Sequence, residues 1–185
     1  MKLYFDHSKS VFLNKTPLIC LYCERENESS KFMVENGWVP FYEDKVEYWY
    51  QTRSSRLEVK KISDKRLKEL KKISVTSQTT NSNISLPISI EWYQFGNFED
   101  FYFDNIFWGR ILYIEDQVVF AVMNKTNYKK SYGTLSYYYL LNKFLGQYDY
   151  LYITDFYDIF EYKSLLPGFE YWDGINWIKK TKNSK

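Results

Sequence analysis

The segment Lys129-Lys130-Ser131-Tyr132-Gly133-Thr134-Leu135 decides the fold. Before it stands an apolar run, Gln117 to Met123, which reads as a strand. After it, Ser136 to Leu145 reads as a helix, and Asp149 to Thr154 as a short buried strand. The order is thus strand, basic glycine turn, helix, strand. Arg110 to Ile114 adds an earlier strand, closing a hairpin around Glu115-Asp116. The C-terminal half is therefore expected to hold a mixed sheet. The strand ending near Met123 and the strand near Leu151 should lie side by side and splay near their C-terminal ends to open a cleft beside Gly133.

Outward from this unit, Met1 to Glu24 reads as strand and turn, with an apolar strand opened by Pro17. Asn27-Glu28-Ser29-Ser30 caps a short helix that Asn36-Gly37 ends. Trp38 to Tyr50 is aromatic and extended, and Leu57 to Val59 continues as strand. Ser63-Asp64 caps a helix from Lys65 to Ile73, whose Leu67, Leu70 and Ile73 share a face. Val75 to Ser85 is rich in Ser, Thr, Asn and Gln and reads as a mobile loop. Ile88 to Phe95 and Phe98 to Phe103 are apolar without a clear period, and Phe160 to Ile178 reads as irregular. The expected division is an N-terminal lobe over 1–74, a linker over 75–87 and a C-terminal part over 88–185, in the α+β class.

The chain has 185 residues, 45% of them hydrophobic, enough for a buried core. Its formal charge of +2 hides an asymmetry. Residues 53–72 carry nine basic and three acidic residues, while the remainder is net acidic. Such a block is either a polyanion site or a solvated helix face. Arg53, Arg56, Lys60, Lys61, Lys65, Arg66, Lys68 and Lys72 are its candidate phosphate contacts. The two cysteines, Cys20 and Cys23, and the single His7 cannot build a closed four-ligand zinc site, so no metal is expected. Met1 to Ser10 lacks an apolar signal core, and no run approaches the ~20 residues of a membrane span. A cytoplasmic protein with reduced thiols is expected.

The turn at 129–135 has two readings. Its backbone N–H groups, with Lys129, Lys130, Ser131 and Thr134, can hold a phosphate at a helix N-terminus. Alternatively it is an ordinary turn with Thr134 or Ser136 as N-cap. GNAT acetyltransferases carry a Gln/Arg-x-x-Gly-x-Gly/Ala loop for the pyrophosphate of CoA. Here Lys130-x-x-Gly133-x-Leu135 lacks the last small residue, which argues against a standard acetyl-CoA enzyme.

The ordered set Ser131-Tyr132-Gly133-Thr134, Tyr150-Leu151-Tyr152-Ile153, Tyr162-Lys163, Pro167 to Glu170 and Trp177 resembles the C-terminal domain of arginyl-tRNA–protein transferases. Asn36-Gly37-Trp38 is similar to that family's Gly-Trp-Arg-Arg element, with Val39-Pro40 in place of the arginines. The resemblance implies a GNAT-like acyltransferase fold with a smaller N-terminal lobe. It also implies transfer of an amino acid from charged tRNA to an amine, on a protein N-terminus or a small molecule. Aminoacyl-tRNA would be the co-substrate, with no further cofactor.

In that chemistry Lys163 is the expected donor or anchor, while Glu170 and Asp155 hold or deprotonate the amine. Tyr152, Tyr157, Tyr162, Trp172, Trp177 and Trp38 are candidate walls for the terminal adenine or the amino-acid side chain. Each has a plainer reading: a surface lysine, capping or turn acids, and aromatic core packing. The rival functions are an acyl-CoA-dependent N-acyltransferase and a non-catalytic tRNA- or protein-binding module on the same scaffold.

Overall fold

A computed structural model describes residues 2–13, 16–43, 46–51, 54–80, 97–114, 118–123, 132–155 and 158–180. The N-terminal strands are β1 (Lys2–Leu13), β2 (Thr16–Glu24), β3 (Trp38–Glu43) and β4 (Val46–Gln51). They form one antiparallel sheet in the order β1-β2-β4-β3. Between β2 and β3 sits α1 (Ser30–Glu35). Its N-cap is Ser29, whose Oγ accepts from Phe32 N at 3.1 Å. Gly37, at φ 78°, turns the chain out of the helix.

The second sheet has eight strands. These are β5 (Ser54–Glu58), β6 (Val75–Thr80), β7 (Asn97–Phe103), β8 (Ile106–Ile114), β9 (Val118–Met123), β10 (Tyr150–Asp155), β11 (Phe169–Trp172) and β12 (Trp177–Lys179). Their order is β12-β11-β5-β10-β9-β8-β7-β6. Every neighbouring pair is antiparallel except β9 and β10, which run parallel with Tyr152 opposite Phe120. The chain is therefore α+β with a large mixed sheet. β5 lies within residues 1–74 but belongs to this sheet, between β10 and β11.

Strand alternation gives the sheet two apolar faces. Leu57, Val119, Ala121, Leu151, Ile153 and Phe169 point to the face covered by α2 (Asp64–Leu70) and α3 (Tyr132–Lys143). There Leu70, Leu140, Leu141 and Phe144 complete the core. Phe98, Leu112, Val118, Phe120 and Tyr152 point to the opposite face. That face packs against Cys23, Met33, Val34, Trp38 and Trp49 of the N-terminal sheet and α1. Among the described residues no helix is long and apolar enough to cross a membrane.

Three sequence readings are corrected. Val75 to Thr80, expected as loop, is the edge strand β6, paired without a break to β7 from Val75–Phe103 to Thr80–Phe98. Its polarity suits an edge with little to bury, and its Val and Thr residues favour the extended backbone. Phe160 to Ile178, expected as irregular, contains a 3-10 helix, Asp158–Leu165, and the β11–β12 hairpin. The hairpin turn is closed by Asp173, whose Oδ1 accepts from the backbone N–H of Ile175 and Asn176, both at 2.8 Å. The helix expected to Ile73 ends at Leu70.

Candidate functional site

The strongest convergence of polar groups centres on Arg56, near the middle of β5. Pleating points it to the face that meets the N-terminal lobe, as its cross-strand partners are Tyr152 on β10 and Glu170 on β11. Arg56 is 8% and Glu170 2% exposed. Nε and Nη2 of Arg56 each lie 2.8 Å from Oε2 of Glu170. The guanidinium stacks between two rings, 3.7 Å from the Tyr150 centroid and 4.1 Å from that of Trp177. Tyr152 packs on Phe120 and Trp177 at 5.3 and 6.1 Å between centroids. Burial, opposed by the nearby Arg56, pushes the Tyr152 hydroxyl up to about 12.

The indole of Trp177 donates to Glu35 O at 2.8 Å, tying the site to α1. Trp172 meets Trp177 edge-on, with ring centroids 5.6 Å apart, and its ring lies against Gly37. Its Nε1 is buried and has no hydrogen-bond partner among the described residues. Trp38 lies in the lobe core beside this contact.

From this centre an alternating row of charges runs to the surface. Glu170 Oε1 is 3.5 Å from Lys179 Nζ, which is 3.5 Å from Glu58 Oε2. The same Glu58 oxygen accepts from Lys60 Nζ at 3.0 Å. Hydrogen bonding from Lys60 holds the Glu58 carboxyl below its ordinary range, and Glu58 in turn raises Lys179. Lys61, Lys65, Lys68 and Lys72 are exposed. Arg66 pairs with Glu69 at 2.7 Å and lies 5.0 Å from the Tyr138 ring centroid.

Lys163 is buried, at 6% exposure, not a surface lysine. It comes from the 3-10 helix and donates to Ile153 O at 3.1 Å, near the C-terminal end of β10. Asp155 ends that strand, opposite Ser54. Tyr162 lies on the helical face, 43% exposed, hydrogen-bonded to buried Tyr137. Gly133 and Thr134 lie in the first turn of α3. A Cβ at Gly133 would meet nothing within 4 Å among the described residues. Arg53, Lys129, Lys130, Ser131 and Tyr157, and the side chain of Asp155, lie outside the described residues.

The fold thus brings Arg56, Tyr152, Glu170, Trp172 and Trp177 together, while Lys163 contacts the Ile153 carbonyl and Tyr162 contacts Tyr137. Sequence reasoning missed Tyr150, Glu58 and Lys179. It also missed a second buried pair, Asp100 and Arg110, at 0% and 5% exposure. Arg110 grips Asp100 with two bonds, Nε to Oδ1 at 2.6 Å and Nη2 to Oδ2 at 3.0 Å. Charged residues inside two apolar runs, Glu99 and Asp100 within Phe98 to Phe103 and Arg110 within Ile106 to Ile114, were the available signal.

No family model matches the chain, and no curated protein matches it.

Proposed function

We propose that this chain is an aminoacyl-tRNA-dependent acyltransferase of GNAT-like fold. It would move an amino acid from charged tRNA to an amine on a protein N-terminus or a small molecule. The observation that carries the reading is the β9–α3–β10 unit, whose parallel strand pair interrupts an otherwise antiparallel sheet. Such a pair leaves the strand ends and the start of α3 on one edge, where a helix N-terminus favours an anionic carrier. The exposed lysines of 60–72 support a polyanionic substrate.

The reaction is aminolysis of an ester. The neutral amine attacks the carbonyl carbon, a C–N bond forms, the bond to the ribose oxygen breaks, and the amine proton ends on that oxygen. Because the ester is already activated, positioning and electrostatic stabilisation supply much of the acceleration. Asp155, the last residue of β10, and Lys163, which reaches the Ile153 carbonyl of that strand from the 3-10 helix, are the candidates for the reacting groups. Glu170, engaged by Arg56 and Lys179, serves as a positioning residue.

A second reading is favoured by the engagement of Lys163 and Glu170 in buried contacts. In it the chain binds RNA without catalysis. The deciding experiment incubates the protein with total charged tRNA and candidate acceptors, and reads added residues by mass spectrometry. An acceptor heavier by one amino-acid residue supports transfer. Salt-sensitive tRNA binding with no transfer supports the second reading. Absence of tRNA binding removes both.

A further inference from the structure

The basic surface of residues 60–72 continues onto the far end of the chain. β5 and β12 flank β11, so the fold sets Lys179 beside Glu58 across about 120 residues of sequence. The approach is close: Glu58 N donates to Gly168 O at 2.9 Å. One oxygen, Glu58 Oε2, lies 3.0 Å from Lys60 Nζ and 3.5 Å from Lys179 Nζ. The two ammonium groups therefore stand within about 6.5 Å of each other. All three side chains face solvent, at 44%, 38% and 64% exposure for Lys60, Glu58 and Lys179. Lys179 also lies 3.5 Å from Glu170, whose charge buried Arg56 balances. Lys60, Lys179 and Arg56 thus face two carboxylates, and the surplus positive charge stands at the water-accessible lysines. Lys61 beside them, Lys65 and Lys68 on α2, and Lys72 in the turn after it extend that charge.

We propose that Lys60 and Lys179 form a two-lysine phosphate site for RNA, and that Glu58 occupies it until a phosphate displaces the carboxylate. This rests on the RNA-binding part of the reading above. Exposed ammonium–carboxylate contacts are weak, so a phosphate competes for the same donors. A single anion gains little by the exchange. A polyanion held at the same time by the α2 lysines gains the release of counterions at each contact. Glu58 thus sets a threshold that selects polyanions over isolated phosphates.

The test is filter binding of bulk deacylated tRNA across a salt series. Lys179→Ala should weaken binding and lower the salt slope by roughly 0.7–0.9. Glu58→Gln, which removes the competing carboxylate, should tighten binding about two- to tenfold. In a Lys60→Ala/Lys179→Ala background, Glu58→Gln should give no gain. Wild-type protein that binds tRNA, with Glu58→Gln unchanged or with an equal gain in that background, overturns the site but leaves RNA binding standing. Wild-type protein that does not bind tRNA overturns both. Binding to phosphatidylserine vesicles in place of tRNA, moved by the same substitutions, overturns the assignment to RNA.

Discussion

Arg56 and Glu170 meet across neighbouring strands with two guanidinium nitrogens on one carboxylate oxygen, both at 2.8 Å. Both residues are more than nine-tenths buried. Removing one partner of such a pair leaves an uncompensated charge in a poor solvent. Glu170→Gln keeps the shape and loses the charge, and is expected to destabilise the fold by about 3 kcal/mol, at the low end for a broken buried pair. The rings of Tyr150 and Trp177 still hold the guanidinium and limit the loss. Arg56→Met with Glu170→Leu should recover most of the stability, since neither charge then needs a partner. Urea midpoints decide it: a Glu170→Gln variant within 0.5 kcal/mol of wild type, as expected of an ordinary surface substitution, would show the pair to be solvated.

Gly37 and Gly146 share a left-handed backbone, at φ 78° and 77°, but not their surroundings. A Cβ on Gly146 would meet open space, whereas one on Gly37 would lie 2.4 Å from the Trp172 ring. Gly146→Ala is expected to cost the backbone strain alone, about 1 kcal/mol. Gly37→Ala adds overpacking of about 1–3 kcal/mol. Equal urea midpoints for the two variants would mean that Trp172 does not sit against Gly37.

The secondary structure was legible where local chemistry and burial agree. Ser29 and Ser63 announce α1 and α2 because an N-cap acts on its own first turn. The β8–β9 hairpin and β10 follow from apolar runs that are buried on both faces. β6 was hidden because an edge strand needs no apolar pattern, and β11 because aromatic density masked its alternation. The site was less legible, since its partners are remote. Arg56 belongs to a basic block in sequence, yet the carboxylate it meets lies 114 residues away. Charge blocks are one-dimensional, while burial is decided by which strand lies alongside.

Glu99 offers a pH test on the helical face. Burial raises its carboxyl, but hydrogen bonds from Lys143, Ser77 and Tyr113 together bring it below the ordinary value. Lys143 Nζ and Tyr113 OH both donate at 2.6 Å. A carboxyl depressed in the folded state binds its proton more readily when unfolded. Its contribution is present above the unfolded value of about 4.3 and is lost as pH falls through the lower folded value. Glu99→Gln should be destabilising at pH 7, with the gap to wild type narrowing below about pH 4. A gap that is constant from pH 7 to pH 3 would remove the ionised Glu99 from the account.

Lys163 tests whether the end of β10 carries chemistry. Its buried ammonium donates to Ile153 O, two residues before Asp155. If that ammonium also stabilises charge developing on the ester, Lys163→Met should lower kcat about ten- to a thousandfold while leaving tRNA affinity unchanged. A purely structural lysine would instead change the urea midpoint and leave the kcat of the folded fraction at the wild-type value.

Gly133 separates structure from function most cleanly. It occupies the second position of α3, has no positive φ, and among the described residues nothing stands within 4 Å of where a Cβ would lie. Gly133→Ala should therefore fold and gain up to about 1 kcal/mol, because alanine loses less backbone entropy in a helix. If the turn before α3 receives a phosphate of the charged tRNA, the same methyl stands where the backbone must be approached. The variant would then be more stable than wild type and bind aminoacyl-tRNA less tightly, with KM raised and kcat little changed. If the turn is only a connection, stability rises by the same amount and KM does not move. Thermal unfolding and initial-rate kinetics on one preparation read both quantities. A more stable variant with wild-type KM would exclude Gly133 from the carrier site, whereas a less stable one would contradict the open space beside it.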